Sequence, residues 1–584
     1  MTGDIAVLAF GIAAIIGSFW KKGGYLGTFI AAALFLVLEF KPGNYMTYFS
    51  LIASIVWVLV SIYSLNYGEK YGKWLSSFIP LMIMGMALIL VSTNYLEIIT
   101  GWEAMSIPAY LIVALNKKEH GPAFTFMMFS EFSTILIVSG AAYAFFSTGT
   151  LNFTHMGSYV PILLISLGSL VKMGMTPFMI SEWLPIAHGN APANASAILS
   201  ATMTLMGVYL IMKMILISDL FPGIGYLFLA IGSISILFAA IYAYISENMK
   251  MLAGFSTIEN NAAILSAMGL YILASSTVLQ DFILVTIVIF TLSHAVSKTG
   301  LFFSIGNSNG EYFGEDTGPT SYAQRVGTML TTMSLSGLFP TIGGLATWML
   351  LESFFMEAYS GGPAGITAIV IGSVIALAEG MATGSMIKIL SFGNLFNRAL
   401  SRKQGSGEIT LSGTGLLLTA FFALSILFIP PVFISGVPSV LVFNGFTITS
   451  AFGTADFGLI SPDYVLVLIA VLSLMAYIAF GKPKTREVPV WNGGAMPVDP
   501  YTSYAYSNNI RLMLKRILRT KTGVYGRSAT AIDIFWIIMA DVGKGYRALC
   551  KYITLKFMNS SIGWYMVYMI AAFMLIMVVS VKVY

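Results

Sequence analysis

The chain has 584 residues, of which 57% are apolar and only 9% charged, with a net charge of +5 and a mean hydropathy of +0.85. Soluble domains carry about 25% charged residues, so this composition excludes a soluble globular protein and describes one that crosses a membrane many times. The single cysteine, Cys550, excludes an intramolecular disulfide and a cysteine-ligated iron–sulfur cluster.

A spanning helix needs about 20 mostly apolar residues. The apolar runs predict sixteen helices, at about 4–20, 24–40, 45–64, 76–94, 96–115, 122–147, 159–180, 195–217, 222–245, 250–274, 278–305, 324–359, 363–394, 410–432, 461–480 and 561–581. The fold class expected is therefore an all-α polytopic membrane protein of 14 to 16 spans. The opening MTGDIAV has neither a basic n-region nor a small-residue cleavage site, and reads as the first span rather than a signal peptide.

Loop charge predicts orientation. Lys21, Lys22, Lys70, Lys73, Lys117, Lys118, Lys250, Arg325, Arg398, Arg402 and Lys403 fall on one set of links, with the segment 481–560 on the same side. The opposite links carry Lys41 and little else before Lys582. Basic loops stay inside, so the N-terminus is expected outside, in the cell membrane. Residues 481–556 hold 13 Lys and Arg against four acids, a net of +9 that leaves −4 on the rest. This amphipathic arm suits an anionic membrane surface, a docking site for neighbouring subunits, or both.

The fourth to eighth and ninth to thirteenth segments form two groups of five. An odd unit reverses orientation when repeated, and each group contains a Pro-interrupted helix, the seventh at Pro177 and the twelfth at Gly337–Pro340. Paired interruptions point to a transport site. The predicted layout is thus residues 1–75 (three helices), 76–217 and 218–394 (two inverted five-helix repeats), 395–480 (two helices), and 481–584 (basic arm and last span).

Ionisable residues inside the spans are costly, on the order of 2.5–3.5 kcal/mol each, and mark ion paths. Lys172 is flanked by Leu, Val and Met five residues before Pro177. Glu103 and Glu131 occupy the fifth and sixth segments, Glu259 the tenth beside Asn260 and Asn261, and His294 and Lys298 one face of the eleventh. Glu352 and Glu357 come late in the twelfth, and Glu379 and Lys388 lie in the thirteenth. Glu103, Glu131, Lys172, Glu259, His294, Lys298, Glu352 and Lys388 are the candidates for ion translocation. Any one of them can equally be half of a static ion pair, with Glu131, Glu357 and Glu379 evenly poised and Lys213 able to snorkel at a helix end. The four histidines (His120, His155, His188, His294) are dispersed and form no local metal motif, and no GxGxxG or P-loop pattern opens a helix after a strand. No cofactor, metal or redox centre is expected in this chain.

Several stretches are similar to one family. VKMGMTPFMISEWLPIAHGNAPANASAILSATMTLMGVYLI resembles the seventh and eighth helices of the antiporter-like subunits of respiratory complex I, Mrp antiporters and membrane-bound hydrogenases. GWEAMSIPAYLIVAL resembles the helix-5 motif and SHAVSKTGLFFSIGN the helix-11 motif. KMLAGFSTIENNAAIL and PVWNGGA…YTSYAYSNNIRLMLKRIL are similar to the hydrogenase-4 component B branch. The resemblance implies that Lys172 is the central proton carrier, modulated by Glu103, with His294 and Lys298 passing charge onward. It implies partners too: other antiporter-like subunits and hydrophilic redox subunits, with no nucleic acid. Two positions depart from the pattern. Ser200 stands where the family has a helix-8 histidine, and Thr347 where the helix-12 motif ends in a charge; both bear on the onward relay. Two other readings stay open: a stand-alone cation/proton antiporter, and a structural paralogue that anchors other subunits without pumping.

Overall fold

The computed structural model describes residues 2–41, 43–115, 121–175, 183–315, 318–395, 398–401, 403–428, 441–444, 447–452, 455–460, 462–481, 502–514, 534–557, 564 and 566–571. Residues 1–507 form one compact unit and 508–584 a second. The helices of the first unit are α1 (Thr2–Phe19), α2 (Lys21–Glu39), α3 (Thr47–Tyr67), α4 (Lys73–Val91), α5 (Tyr95–Ala114), α6 (Gly121–Thr148), α7 (Tyr159–Lys172), α8 (Trp183–Asn190), α9 (Ala193–Ile198), α10 (Thr204–Leu216), α11 (Pro222–Ile245), α12 (Met249–Leu273), α13 (Thr277–Gly306), α14 (Tyr322–Leu335), α15 (Ile342–Ala358), α16 (Gly362–Leu390), α17 (Ser406–Phe428) and α18 (Pro462–Phe480). A further helix, α19, runs over Ser503–Met513, and α20 (Ile534–Phe557) lies in the second unit.

Ten helices among the described residues are long and apolar enough to cross a membrane. The remaining predicted spans fall short for separate physical reasons. Helices α1, α7 and α18 are apolar but shorter, α12 carries Lys250, Glu259, Asn260 and Asn261, and α14 and α15 are two pieces of one predicted segment. Most of 561–581 lies outside the described residues.

Lipid tails are as apolar as leucine, so helices in a membrane associate through close packing of small residues. Helices α4 and α5 cross at Gly85 and Gly101, and a Cβ added to either would stand 2.8 Å from the other's carbonyl oxygen. Helices α11 and α12 cross the same way at Gly225 and Gly269, at 3.0 and 2.8 Å. Gly85→Leu cannot be accommodated there, since its Cβ alone would lie 2.3 Å from the Met105 nitrogen. We expect that variant to be lost from the membrane fraction on immunoblots, with Gly72→Leu, which meets no atom within 4 Å, accumulating normally.

Two helices are interrupted. Helix α7 ends at Lys172 and turns through Gly174 at φ +83°, where an added Cβ would strike Ile258 at 2.8 Å and Leu184 at 2.9 Å. Pro177 lies outside the described residues. Helices α14 and α15 are separated by Ser336–Thr341, with Gly337 at φ +63° and a cis Phe339–Pro340 bond. Between α9 and α10 the backbone widens into a π-helical turn over Leu199–Met203.

A three-stranded antiparallel sheet, β1 (Leu441–Asn444), β2 (Thr447–Phe452) and β3 (Ala455–Ile460), occupies a stretch where no element was expected. Some loop charges expected in water instead fasten the chain. Arg325 donates to the Arg398 carbonyl at 2.8 Å, and Arg398 to the carbonyls of Gly318 and Gly393. Lys250 is buried in the first turn of α12, with its ammonium 2.7 Å from the Glu311 carboxylate.

Candidate ion-translocation site

Lys172 closes α7 with only 1% of its surface exposed. Its ammonium donates to Ser106 Oγ on α5 at 2.7 Å and to Ser130 Oγ on α6 at 2.5 Å. The rings of Trp102 and Phe126 each lie 5.6 Å away. Both rings are fixed. Trp102 donates to Ser133, which donates to the Gly168 carbonyl, and Phe126 meets Trp183 edge-on, whose indole donates to the Val171 carbonyl. Among the described residues the pocket thus supplies hydroxyls and π-faces to the lysine but no directly bonded carboxylate.

The acids nearest in charge to Lys172 are Glu103 and Glu131. Glu103, half-buried, lies one turn before Ser106 on α5 and accepts from the Thr134 hydroxyl of α6. Glu131 follows Ser130 but sits on the exposed face of α6. The sequence reading named both acids and missed the two serines. The signal was present: Ser106 is three residues beyond Glu103, hence on its helix face.

A second cluster is built around α12 and α13. Lys298 is wholly buried and donates to the Ala253 carbonyl of α12 at 3.3 Å. Glu259 is 1% exposed, and neither of its oxygens has a donor within hydrogen-bonding geometry among the described residues, Ser256 one turn earlier included. Neither ring nitrogen of buried His294 makes a hydrogen bond of good geometry among the described residues, although the Ser200 backbone lies close enough to act on the ring. Ser200 falls inside the π-helical turn, its hydroxyl 2.6 Å from that of Thr257 on α12. Asn261, on that same α12 face, donates to the Met173 carbonyl beside Lys172. One face of α12 therefore joins the two clusters. π-Turns of this kind recur at functional sites.

His188 on α8 went unassigned in the sequence reading. It is buried, lies tilted against the Phe302 ring at 4.8 Å and, among the described residues, has no partner for either nitrogen. Glu352 is buried on α15, which packs on α13. Lys388 on α16 stands apart from both clusters, bonded to Glu247, the carbonyls of Tyr244 and Ser246, and Ser507. Glu357 accepts from the Ser275 backbone and from Ser360. Lys213 reaches the Ser92 carbonyl at 2.7 Å and the Phe153 ring at 4.0 Å. Among the described residues no three His, Cys, Asp or Glu side chains converge as a metal site.

If the two serines are what make the Lys172 site tolerable, Ser106→Ala with Ser130→Ala should destabilise the protein by about 1–3 kcal/mol. The loss should shrink when Lys172 is also replaced by Met. Thermal denaturation in detergent across that cycle measures the difference.

A many-span helical bundle with two interrupted helices, each beside a buried lysine-bearing cluster, defines a membrane subunit of the antiporter-like class. Residues 92–376, just under half of the chain, match the family described as NADH:quinone oxidoreductase/Mrp antiporter, transmembrane. Hydrogenase-4 component B of Escherichia coli is 26% identical over 388 residues, covering 61% of this chain and 57% of that protein. The putative antiporter subunit mnhA2 of Staphylococcus saprophyticus is 25% identical, covering 60% and 48%. The chain thus matches about half the length of these curated relatives. Among solved structures, a chain of the membrane-bound sulfane sulfur reductase, an archaeal respiratory membrane complex, matches with a TM-score of 0.78 at 15% identity, covering 98% of this chain and 99% of its own. A chain of the Mrp complex from Dietzia sp. matches with a TM-score of 0.70 at 16% identity, covering 100% and 63%. These likenesses show the fold.

Proposed function

We propose that the chain moves protons, or sodium ions, across the plasma membrane as one subunit of a membrane-bound hydrogenase-like or complex I-like assembly, driven by electron transfer in partner subunits. One observation supports this reading above the others. Lys172 is buried at the end of a broken helix, held by two hydroxyls and, among the described residues, by no carboxylate directly. A static structural charge would be expected to close with a counter-ion. A charge that must be gained and lost is better served by weak, rotatable partners, with Glu103 and Glu131 close enough to modulate it.

Two inverted five-helix repeats, 76–217 and 218–394, fit this function. The first helix pair of each repeat crosses through facing glycines, α4/α5 and α11/α12, and the second helix of each pair carries an acid, Glu103 or Glu259. The N-terminus is placed outside. In α20 the exposed Tyr546, Leu549, Tyr552 and Ile553 form a stripe beside Lys544, Arg547 and Lys551, a pattern suited to an anionic lipid surface.

The test is purification of a tagged chain from native membranes in mild detergent. A subunit of a redox complex is expected to bring hydrophilic redox proteins with it. Recovery of the chain alone, active in cation/proton exchange, would identify a stand-alone antiporter instead.

A further inference from the structure

We propose that Glu379 on α16 acts with Glu259 on α12 as the carboxylate pair through which an ion held at Lys298 leaves, across the break between α14 and α15. This rests on the ion-translocating reading above and adds to it a residue and a route.

Glu259 is the anchoring observation. It is buried, and among the described residues no group within hydrogen-bonding geometry donates to either oxygen. A buried carboxylate in that condition needs its charge balanced by something close. The charged groups that act on it are Glu379 and Lys298. One ammonium balances one carboxylate, so the second acid calls for one more monovalent cation, and a proton is the simplest.

The packing leads to the same place. Phe255, one turn before Glu259, stacks on Tyr242 of α11, and Ala262, one turn after, presents its carbonyl to Gly232 of α11. Glu259 therefore shares the α12 face that looks toward α11, and α16 packs against both α11 and α12. Glu379 lies one turn before Thr383, whose hydroxyl donates to the Glu379 backbone carbonyl at 3.0 Å and lies 3.4 Å from the Ser336 carbonyl, inside the break. From the other side, Ser297, next to Lys298, donates to Ser334 Oγ at 2.8 Å, where α14 ends. Thr331, one turn earlier on α14, has a buried hydroxyl without a partner among the described residues. Hydroxyls and a freed carbonyl thus gather at the break, with Lys298 adjoining them in sequence on α13 and Glu379 one turn away on α16. Thr347 also borders the break: a Cβ on Gly337 would stand 2.7 Å from its Oγ1. The α15 side of the gap offers a hydroxyl, and the neighbouring helix offers the charge.

The step balances without electrons. An N–H bond of the Lys298 ammonium breaks as an O–H bond forms on a carboxylate of the pair, leaving a neutral amine and a neutral acid. The acid then gives its proton to water, and the amine is recharged from the Lys172 side.

The test uses the complex with its redox subunits in inside-out vesicles, with electron transfer and dye-reported proton and sodium uptake followed on one sample. Glu379→Gln is expected to keep electron transfer and cut uptake about a hundredfold, the scale for loss of a positioned proton-transfer group. Glu379→Asp should keep uptake, and adding Thr347→Glu to Glu379→Gln should return part of it. Unchanged uptake in Glu379→Gln, with uptake abolished by Lys172→Met, overturns this proposal and leaves the broader function standing. Unchanged uptake in both overturns the function itself. If Glu379→Gln fails to assemble, the unsubstituted complex is treated with dicyclohexylcarbodiimide, which adds to protonated carboxyls. Modification of Glu379, located by mass spectrometry, supports the pair; modification of Glu259 without Glu379 overturns it.

Discussion

Lys172→Met is expected to abolish redox-driven ion uptake by vesicles while electron transfer in the partner subunits continues. Methionine matches the length of the lysine stem and removes only the charge, so the apolar packing of α7 against α5 and α6 survives. The ammonium has two hydroxyls as partners. Losing it costs two charge-assisted hydrogen bonds, about 1.5–3 kcal/mol each, and removes a buried charge that itself cost about 2.5–3.5 kcal/mol. The two terms largely offset, so the variant should still assemble and the loss should be chiefly one of transport. Immunoblotting for assembly and dye quenching for uptake separate the two. Normal uptake in Lys172→Met would favour the reading in which the chain only anchors its neighbours.

Lys388→Met should behave in the opposite way. Lys388 is wholly buried, 2.9 Å from Glu247, whose side chain is 14% exposed, and it also binds the last carbonyls of α11 at Tyr244 and Ser246. Ser503 donates to the other oxygen of Glu247, Ser507 lies 3.4 Å from the ammonium, and Tyr506 donates to the Gly384 carbonyl. One cation thus fastens α11, α16 and residues 503–507 together. Removing one partner of a buried pair costs about 3–5 kcal/mol, because the other charge is left behind. The expected result is a protein that fails to accumulate, with partial recovery when Glu247→Gln is added to Lys388→Met. A stable Lys388→Met that has lost only ion uptake would restore Lys388 to the translocation path.

The helices were legible because the bilayer enforces a simple rule: about 20 apolar residues, with backbone groups satisfied within the segment. The break at Gly337–Pro340 was legible for the same reason, since Pro and Gly in a span announce themselves. The small sheet at 441–460 also had a signal that went unread, LVFNGFTIT, in which Asn-Gly joins two β-branched and aromatic runs. The buried charges could be named from the sequence, but which of them meet could not. Lys388 reads as a carrier from the sequence, and its partner Glu247 comes into view only from beyond the end of another helix. Lys250 read as a solvated loop charge, and only the return of the chain at Glu311 buries it. Such pairings join residues 61 to 141 positions apart, and no periodicity carries information over that distance.

The central claim is that buried ionisable groups line a path that water and ions reach. Cys550 is the only cysteine in the sequence, so Cys550→Ser gives a background for single-cysteine probes. In that background, Ser130→Cys beside Lys172 and Ser297→Cys beside Lys298 are treated with a membrane-impermeant methanethiosulfonate reagent, with the exposed α16 position Leu377→Cys as the lipid-facing control. Both interior cysteines are expected to react while the control stays unmodified. Inert thiols at 130 and 297 in a complex still turning over would show those groups sealed in apolar packing and would contradict the account.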